Sequence, residues 1–454
     1  MSSSQNSDSS HAKAAAKSGR GRSGPSKSKK RSSGLLKRAG GIFKLLGPGL
    51  ITGAADDDPS GIATYSSVGA QFGYAMLWTM PFIYPFMAAI QEISARIGRV
   101  TGRGIAANLR RYYPRWFLYL IVALLLFANV INLGADIGAM GAAVNLLIGG
   151  PSWVYCVLLA SISVLLQIFV SYRKYTQVLK WLTLSLFAYV ATVFVVRVDW
   201  QKAIQGTFLP HLSLSADYLQ ALVAVFGTTI SPYLFFWQSS EEVEEMQSAP
   251  KDKALKQAPS RGVAQLQRIQ FDTYSGMAFS NLIGYFIILT VAVTLNASGK
   301  TDINSAEQAA EALRPVAGQF AFLLFSLGII GTGLLALPVL AGSAAYGLGE
   351  AFGWPIGLGR KATRAKRFYA VIGIATLLGL LLNFIGVNPI KALVWSAIIN
   401  GVTAAPIMAF MMVMASSQKV MGKFVLPRYL KIFGWGATVV MALAALGMLW
   451  PNGK

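Results

Sequence analysis

The 454-residue chain has one cysteine, Cys156, and two histidines, His11 and His211. A single cysteine excludes an intrachain disulfide and any cysteine-rich metal cage. His11 lies in a Ser/Lys/Arg-rich stretch and His211 between apolar runs, so no histidine is available inside an apolar segment as ligand or proton relay. Charge is scarce: 13% of residues are Asp, Glu, Lys or Arg, with 40 basic against 18 acidic. No Gly-Lys-Ser/Thr follows the glycine-rich stretch from Gly328 to Gly333, which therefore reads as helix packing and not as a phosphate loop. What is abundant is apolar: 54% hydrophobic residues and a mean hydropathy of +0.52. Apolar runs of roughly 20 residues recur along the chain, each long enough to cross a bilayer. These features exclude an ordinary soluble protein and predict an all-α polytopic membrane protein. The net charge of +22 then belongs to tail and loops, where it sets topology; no nucleic-acid partner is implied.

Residues 1–40 have almost nothing to bury and read as a disordered basic cytoplasmic tail. No small-residue cleavage site follows a short apolar run, which argues against a signal peptide. Lys27, Lys29, Lys30, Arg31, Lys37 and Arg38 either hold the tail on anionic lipid or only fix topology. Residues 41–454 are expected to form one transmembrane domain. About eleven spans are expected, near 42–72 (broken), 75–97, 116–147, 152–171, 178–197, 219–247 (broken), 272–297, 316–346, 368–386, 390–415 and 430–450.

The loops alternate in charge. Loops after even spans carry Arg96, Arg99, Arg103, Arg110, Arg111 and Arg115, then Arg173, Lys174 and Lys180, then Lys251 to Arg268, Arg360 to Arg367 and Lys419 to Lys431. Loops after odd spans are nearly bare; Gly149-Gly150-Pro151-Ser152 has no charge. Positive charge stays inside, which predicts a cell inner or plasma membrane protein with its N-terminus cytoplasmic and its C-terminus outside. Trp78, Trp116, Trp153, Trp200, Trp435 and Trp450 fall near span ends, as interface anchors do. Glu92 and Arg96, one turn apart, are expected to pair.

The first span holds Asp56-Asp57-Asp58-Pro59-Ser60-Gly61 between apolar flanks. Carboxylates there must face protein interior or a water-filled cavity. Pro59 has no N–H and pushes Asp58 out of the helical region, and Gly61 loosens the chain further. The segment reads as two half-helices with an unwound joint. Freed carbonyls near Ala55, together with Asp58, attract a cation. Asp57 joins this set, while Asp56 or both also fit an aqueous vestibule.

The sixth span breaks similarly at Gly227-Thr228-Thr229-Ile230-Ser231-Pro232. Breaks in the first and sixth spans predict a five-plus-five inverted repeat, with repeat one near 42–197, repeat two near 219–415 and an extra helix near 430–450. Substrate would bind between the joints, and Pro59, Gly61, Gly227 and Pro232 would let the half-helices move.

Gly47-Pro48-Gly49, Asp58-Pro59-Ser60-Gly61, Gly69 to Tyr74 and Ala95 to Arg103 resemble the first two spans of NRAMP-type divalent-metal transporters. The resemblance continues through Asp136 to Leu147 in the third span and Val420-Met421-Gly422 after the tenth. It implies a LeuT-like fold, alternating access and a divalent cation carried as substrate, with no bound cofactor and no enzymatic activity. Two departures bear on the ion. The family's Asp-Pro-Gly-Asn reads Asp58-Pro59-Ser60-Gly61, so its ligating asparagine falls on Gly61. Its sixth-helix Ala-x-x-Met-Pro reads Thr228 to Pro232, so its methionine falls on Ser231. A thioether suits soft transition metals, whereas hydroxyl, carbonyl, carboxylate and water suit Mg²⁺, Ca²⁺ or Mn²⁺. In this respect the chain resembles the NRAMP-related magnesium transporters.

The family's sixth-helix histidine falls on Tyr233 and its third-helix acidic pair on Asn132 and Ala135. The expectation is Mg²⁺ first and Mn²⁺ next, with weak proton coupling or none. Asp136 fits both a titrating role and a pairing with a neighbouring helix. Asn400 and Thr403 lie near the family's glutamine ligand, and Asn281 and Asn383 read as interhelical hydrogen-bonders. Glu241, Glu242, Glu244 and Glu245 oppose the helix dipole at the end of the sixth span. They form either a cation funnel at the cytoplasmic mouth or salt bridges to Arg99, Arg103 or the 251–268 segment. The alternatives are a proton-coupled Mn²⁺/Fe²⁺ transporter of ordinary NRAMP type and an amino-acid carrier on the same fold, whose substrate carboxylate Asp58 would repel. A receptor or enzyme would need an output domain or a catalytic constellation, and the sequence contains neither.

Overall fold

A computed structural model describes residues 52–53, 55–170, 183–249 and 252–449. The basic tail, the entry to the first span before Thr52, and the loop holding Arg173, Lys174 and Lys180 lie outside the described residues. Every regular element described is helical. The long ones are α1 (Pro59–Phe72), α2 (Thr79–Thr101), α3 (Arg115–Ile148), α4 (Ser152–Phe169), α5 (Phe187–Val195) and α6 (Ala216–Thr229). They continue with α7 (Pro232–Ser248), α8 (Gly262–Thr294), α9 (Ala321–Phe352), α10 (Lys366–Leu382), α11 (Pro389–Ser416) and α12 (Arg428–Leu449).

Each of the eleven expected spans has a helix at its place, with α6 and α7 sharing the sixth. By length and apolarity, seven described stretches suffice to cross a bilayer, or eight if the bent pair of α1 and α2 is one span. The bend there is 113°. It follows Gly73, whose φ of 55° closes α1 in a backbone region that favours glycine. The described part of α5 has only 9 residues, and α10 has 17. Phe127, Phe194, Ile374 and Leu443 point outward and exposed, a surface that suits lipid and not water.

Some helices run longer than the apolar pattern predicts. The seventh span was expected from 272, yet α8 begins at Gly262 and carries Arg268 on its first turns. This places Arg268 against the end of α7, 2.7 Å from Glu242 and 3.1 Å from Glu245. Short helices Ile105–Tyr112 and Trp200–Phe208 are too polar or too brief to read as spans.

Polar side chains join the helices inside the apolar packing. Asn129 on α3 donates to the Leu340 carbonyl at 2.9 Å and meets the Ser343 hydroxyl at 2.7 Å. Asn383 donates to the Gly134 carbonyl at 2.9 Å, as its expected interhelical role requires, whereas Asn281 reaches only the Met87 sulfur at 3.7 Å. Glu92 and Arg96 pair at 2.6 Å. Arg99, buried in the last turn of α2, reaches Asp252 at 2.5 Å. Burial pushes the Asp252 carboxyl upward, but Arg99, the Lys253 amide and Arg261 outweigh it and hold the carboxyl below its ordinary value.

Candidate functional site

Thr52, Gly53, Ala55 and Asp56 are helical, Asp57 is a bend, and Asp58 is extended, with φ −72° and ψ 171°. Pro59 then occupies the first turn of α1, where its missing N–H costs nothing. Asp58 caps this half-helix: its Oδ1 accepts from the Gly61 amide at 2.7 Å. The sixth span repeats the pattern. α6 ends at Thr229, Ser231 is extended with φ −86° and ψ 133°, and Pro232 begins α7. The breaks therefore lie at Asp57–Asp58 and Ile230–Ser231.

Gly61 and Gly227 are not the joints that the sequence suggests. Gly61 is inside α1 and Gly227 inside α6. Gly227 is glycine because α11 approaches so closely that a Cβ would lie 2.8 Å from the Gly401 Cα. At Gly61 the space is ordinary: a Cβ would meet the Thr228 Oγ1 and the Tyr65 ring at 3.4 Å. Position 61, in the first turn of α1, thus faces Thr228 in the last turn of α6.

Tyr233, in the first turn of α7, ties the joints together. Its hydroxyl donates to Asp58 Oδ2 at 3.0 Å and lies 3.3 Å from the Ala55 carbonyl. The Ser231 hydroxyl turns backward and donates to the Gly227 and Thr228 carbonyls at 2.8 and 2.9 Å. Its proton is used there, which leaves its lone pairs as acceptors. Thr228 Oγ1 is buried and has no hydrogen-bond partner. A third element encloses the pair: Ser60 donates to the Leu393 carbonyl at 2.9 Å and meets the Ser396 hydroxyl at 3.2 Å, binding α1 to α11.

Asp56 and Asp57 do not face a vestibule, and neither carboxylate joins Asp58 directly. Both are buried against α8, where the Ser280 hydroxyl lies 2.6 Å from Asp56 Oδ2 and 2.9 Å from Asp57 Oδ1. Asp136 is fully buried on α3, in electrostatic reach of Asp58 and the Ser60 amide; no hydrogen bond satisfies either of its carboxylate oxygens. No side chain among the described residues hydrogen-bonds to it, and its nearest main-chain influence is Ser60 on α1. Asn132, one turn earlier on α3, is likewise buried with both polar atoms unpartnered.

On α11, Asn400 Oδ1 is buried and unpartnered, whereas Thr403 spends its hydroxyl on the Ile399 carbonyl at 2.8 Å. The acidic end of α7 is held by salt bridges and hydrogen bonds and offers no cation funnel. Glu242 pairs with Arg268, and Glu244 bonds the Tyr346 hydroxyl and the amides of Leu358 and Gly359. Glu241 faces the same Tyr346 hydroxyl at 3.5 Å.

Sequence reading missed Ser60, Ser280 and Tyr65. The Tyr65 hydroxyl is buried without a hydrogen bond, in electrostatic reach of Asp56, Asp57 and Asp58. Among the described residues no three His, Cys, Asp or Glu side chains converge as a metal cage. The donors facing one another across the joints are one carboxylate, hydroxyls and main-chain carbonyls, a set that fits a hard cation.

Broken helices packed in this order define a class, the helical secondary transporters of the LeuT-like fold. The manganese transporter of Eremococcus coleocola superposes with a TM-score of 0.69 at 16% identity, over 90% of this chain and 88% of that one. MHP1, a nucleobase-cation-symport-1 family transporter, gives 0.54 at 14% identity over 89% and 92% of the two chains. MhsT in complex with L-phenylalanine gives 0.55 at 15% identity over 88% and 97%. Within that class the chain belongs to the Nramp family, described as natural resistance-associated macrophage protein-like, which matches residues 49–451. A curated relative, the "Divalent metal cation transporter MntH" of Klebsiella pneumoniae subsp. pneumoniae, is 24% identical over 409 residues, covering 87% of this chain and 91% of its own.

Proposed function

We propose that the protein carries a divalent metal cation across the membrane into the cytoplasm by alternating access, and that it is no enzyme. Family membership and the divalent-metal and manganese transporters among its relatives support the coarse reading. The observation that carries the finer one is the donor set at the joints. Among the described residues Asp58 supplies the carboxylate at the joints, and Thr228 Oγ1, Ser231 Oγ and the carbonyls of Ala55 and Thr228 supply neutral oxygens. The positions of the family's methionine and histidine hold Ser231 and Tyr233, which bring neither a thioether nor an imidazole. Mg²⁺ is the preferred ion and Mn²⁺ the next, each retaining some water because Gly61 and Ser231 are short. The repeats near 42–197 and 219–415 move about Pro59 and Pro232, with the N-terminus cytoplasmic.

Proton coupling is weak or absent in this reading, since Tyr233 stands where the family's histidine falls. One observation favours the ordinary proton-coupled alternative: Asp136 is a buried carboxylate near Asp58 with both oxygens unsatisfied. Influx into proteoliposomes of Mg²⁺ against Mn²⁺, with internal pH recorded, separates the two. Mg²⁺ entry without acidification is the expected result. Mn²⁺ entry with acidification and little Mg²⁺ flux would overturn the magnesium reading, and flux of neither ion would favour an organic solute.

A further inference from the structure

Away from the joints, a cavity of about 350 Å³ opens between the short helix Ile105–Tyr112 and the C-terminal end of α9. Arg103, Arg110, Arg111, Ala107 and Glu350 line it. Its one carboxylate is already engaged: Glu350 accepts from the Ala107 amide at 3.0 Å and from the Ser240 hydroxyl at 3.1 Å. The three arginines are exposed, and none of them forms an ion pair among the described residues. Arg110 is positioned by the Glu350 carbonyl at 3.4 Å and by close packing on Gly353, and Arg111 lies over the Tyr112 ring at 5.6 Å. The cavity therefore presents three guanidinium groups to one carboxylate that is already hydrogen-bonded elsewhere.

The aromatic residues beside it fix its depth. At the end of α9, two residues beyond Glu350, exposed Phe352 stacks on exposed Tyr119 of α3 at 6.1 Å and on Trp354 at 5.1 Å. Exposed aromatic side chains at span ends mark the headgroup level of a bilayer. This is also the end where α2, α3, α9 and α10 carry their basic residues, the end that the charge pattern assigns to the cytoplasm. A basic pocket at that level, beside the end of a span, matches a phosphate with a lipid attached. Guanidinium forks suit phosphate oxygens better than ammonium groups do.

We propose that this cavity binds the headgroup phosphate of an anionic phospholipid from the adjoining leaflet. The shared chemistry is phosphate, so the test separates a lipid from free phosphate. Full-length protein in detergent is titrated with phosphatidylglycerol, phosphatidylcholine or inorganic phosphate, and bound lipid is counted by native mass spectrometry. The variant Arg103→Gln/Arg110→Gln/Arg111→Gln is compared with Lys361→Gln/Arg364→Gln/Lys366→Gln, which removes the same charge nearby. Phosphatidylglycerol affinity should fall roughly fivefold per cavity arginine, on the order of a hundredfold for the triple variant, and little for the control. A lysine triple, Arg103→Lys/Arg110→Lys/Arg111→Lys, keeps the charge and should bind more weakly than the wild type and more tightly than the glutamine triple, which separates lost binding from lost folding. Equal losses in cavity and control variants, or wild-type binding by the glutamine triple, would overturn the site. Displacement of bound lipid by millimolar inorganic phosphate would assign the cavity to free phosphate and overturn the lipid.

Discussion

The two helix breaks are built on the same backbone and do different things with it. Each puts a residue of extended backbone before a proline that opens the next half-helix. At the first break the side chain faces forward: Asp58 caps α1 and receives the Tyr233 hydroxyl. At the second it faces backward: Ser231 leaves α7 uncapped and donates to the last carbonyls of α6. One joint thus contributes charge and the other contributes neutral dipoles already oriented by their own hydrogen bonds. In the proposed function, charge provides the attraction for a cation, and the neutral side decides which cation fits.

The comparison breaks most visibly at Asp58. Asp58→Ala should reduce cation influx by at least about a hundredfold, beyond the loss seen when a supporting residue is removed. The protein should still fold, because losing one helix cap costs about 1 kcal/mol. Influx and thermal unfolding of the same preparation check both halves; normal influx would sink the assignment of charge to the first joint. Tyr233→Phe removes the hydroxyl that spans the joints. Cation affinity should weaken about tenfold with little change in maximal rate, read from the concentration dependence of influx. Ser280→Ala acts behind the first joint, leaving Asp56 and Asp57 without their shared hydroxyl. It should destabilise the protein by about 1–3 kcal/mol in an unfolding titration while the Mg²⁺ over Mn²⁺ preference stays put.

Both breaks are legible in the sequence, since a proline inside an apolar segment, beside an acidic run in the first span and beside glycine and hydroxyl residues in the sixth, leaves few backbone options. So are the spans, the Glu92–Arg96 pair and the interhelical Asn383. The side-chain partners are not. Ser280 sits 224 residues from Asp56, and Ser60 meets a carbonyl 333 residues away. Serines in apolar helices carry no periodic signal that says which neighbour they serve. The glycines misled for a related reason: composition reads glycine as looseness, whereas Gly227 serves close packing against α11. At the acidic end of α7 the salt-bridge reading to the 251–268 segment matches the Arg268 pairs; what the sequence does not show is that Arg268 lies on α8 and not in a loop.

The central claim is that one cation touches both joints. A double-mutant cycle on Gly61→Asn and Ser231→Met, scored as the Mn²⁺ over Mg²⁺ preference of influx, tests it directly. A Cβ at position 61 finds ordinary contact with Thr228, so the asparagine can be seated. Each substitution should move the preference toward Mn²⁺, and together they should couple by about 1 kcal/mol. Additivity within about 0.3–0.5 kcal/mol would mean that the joints serve separate ions and would contradict the account.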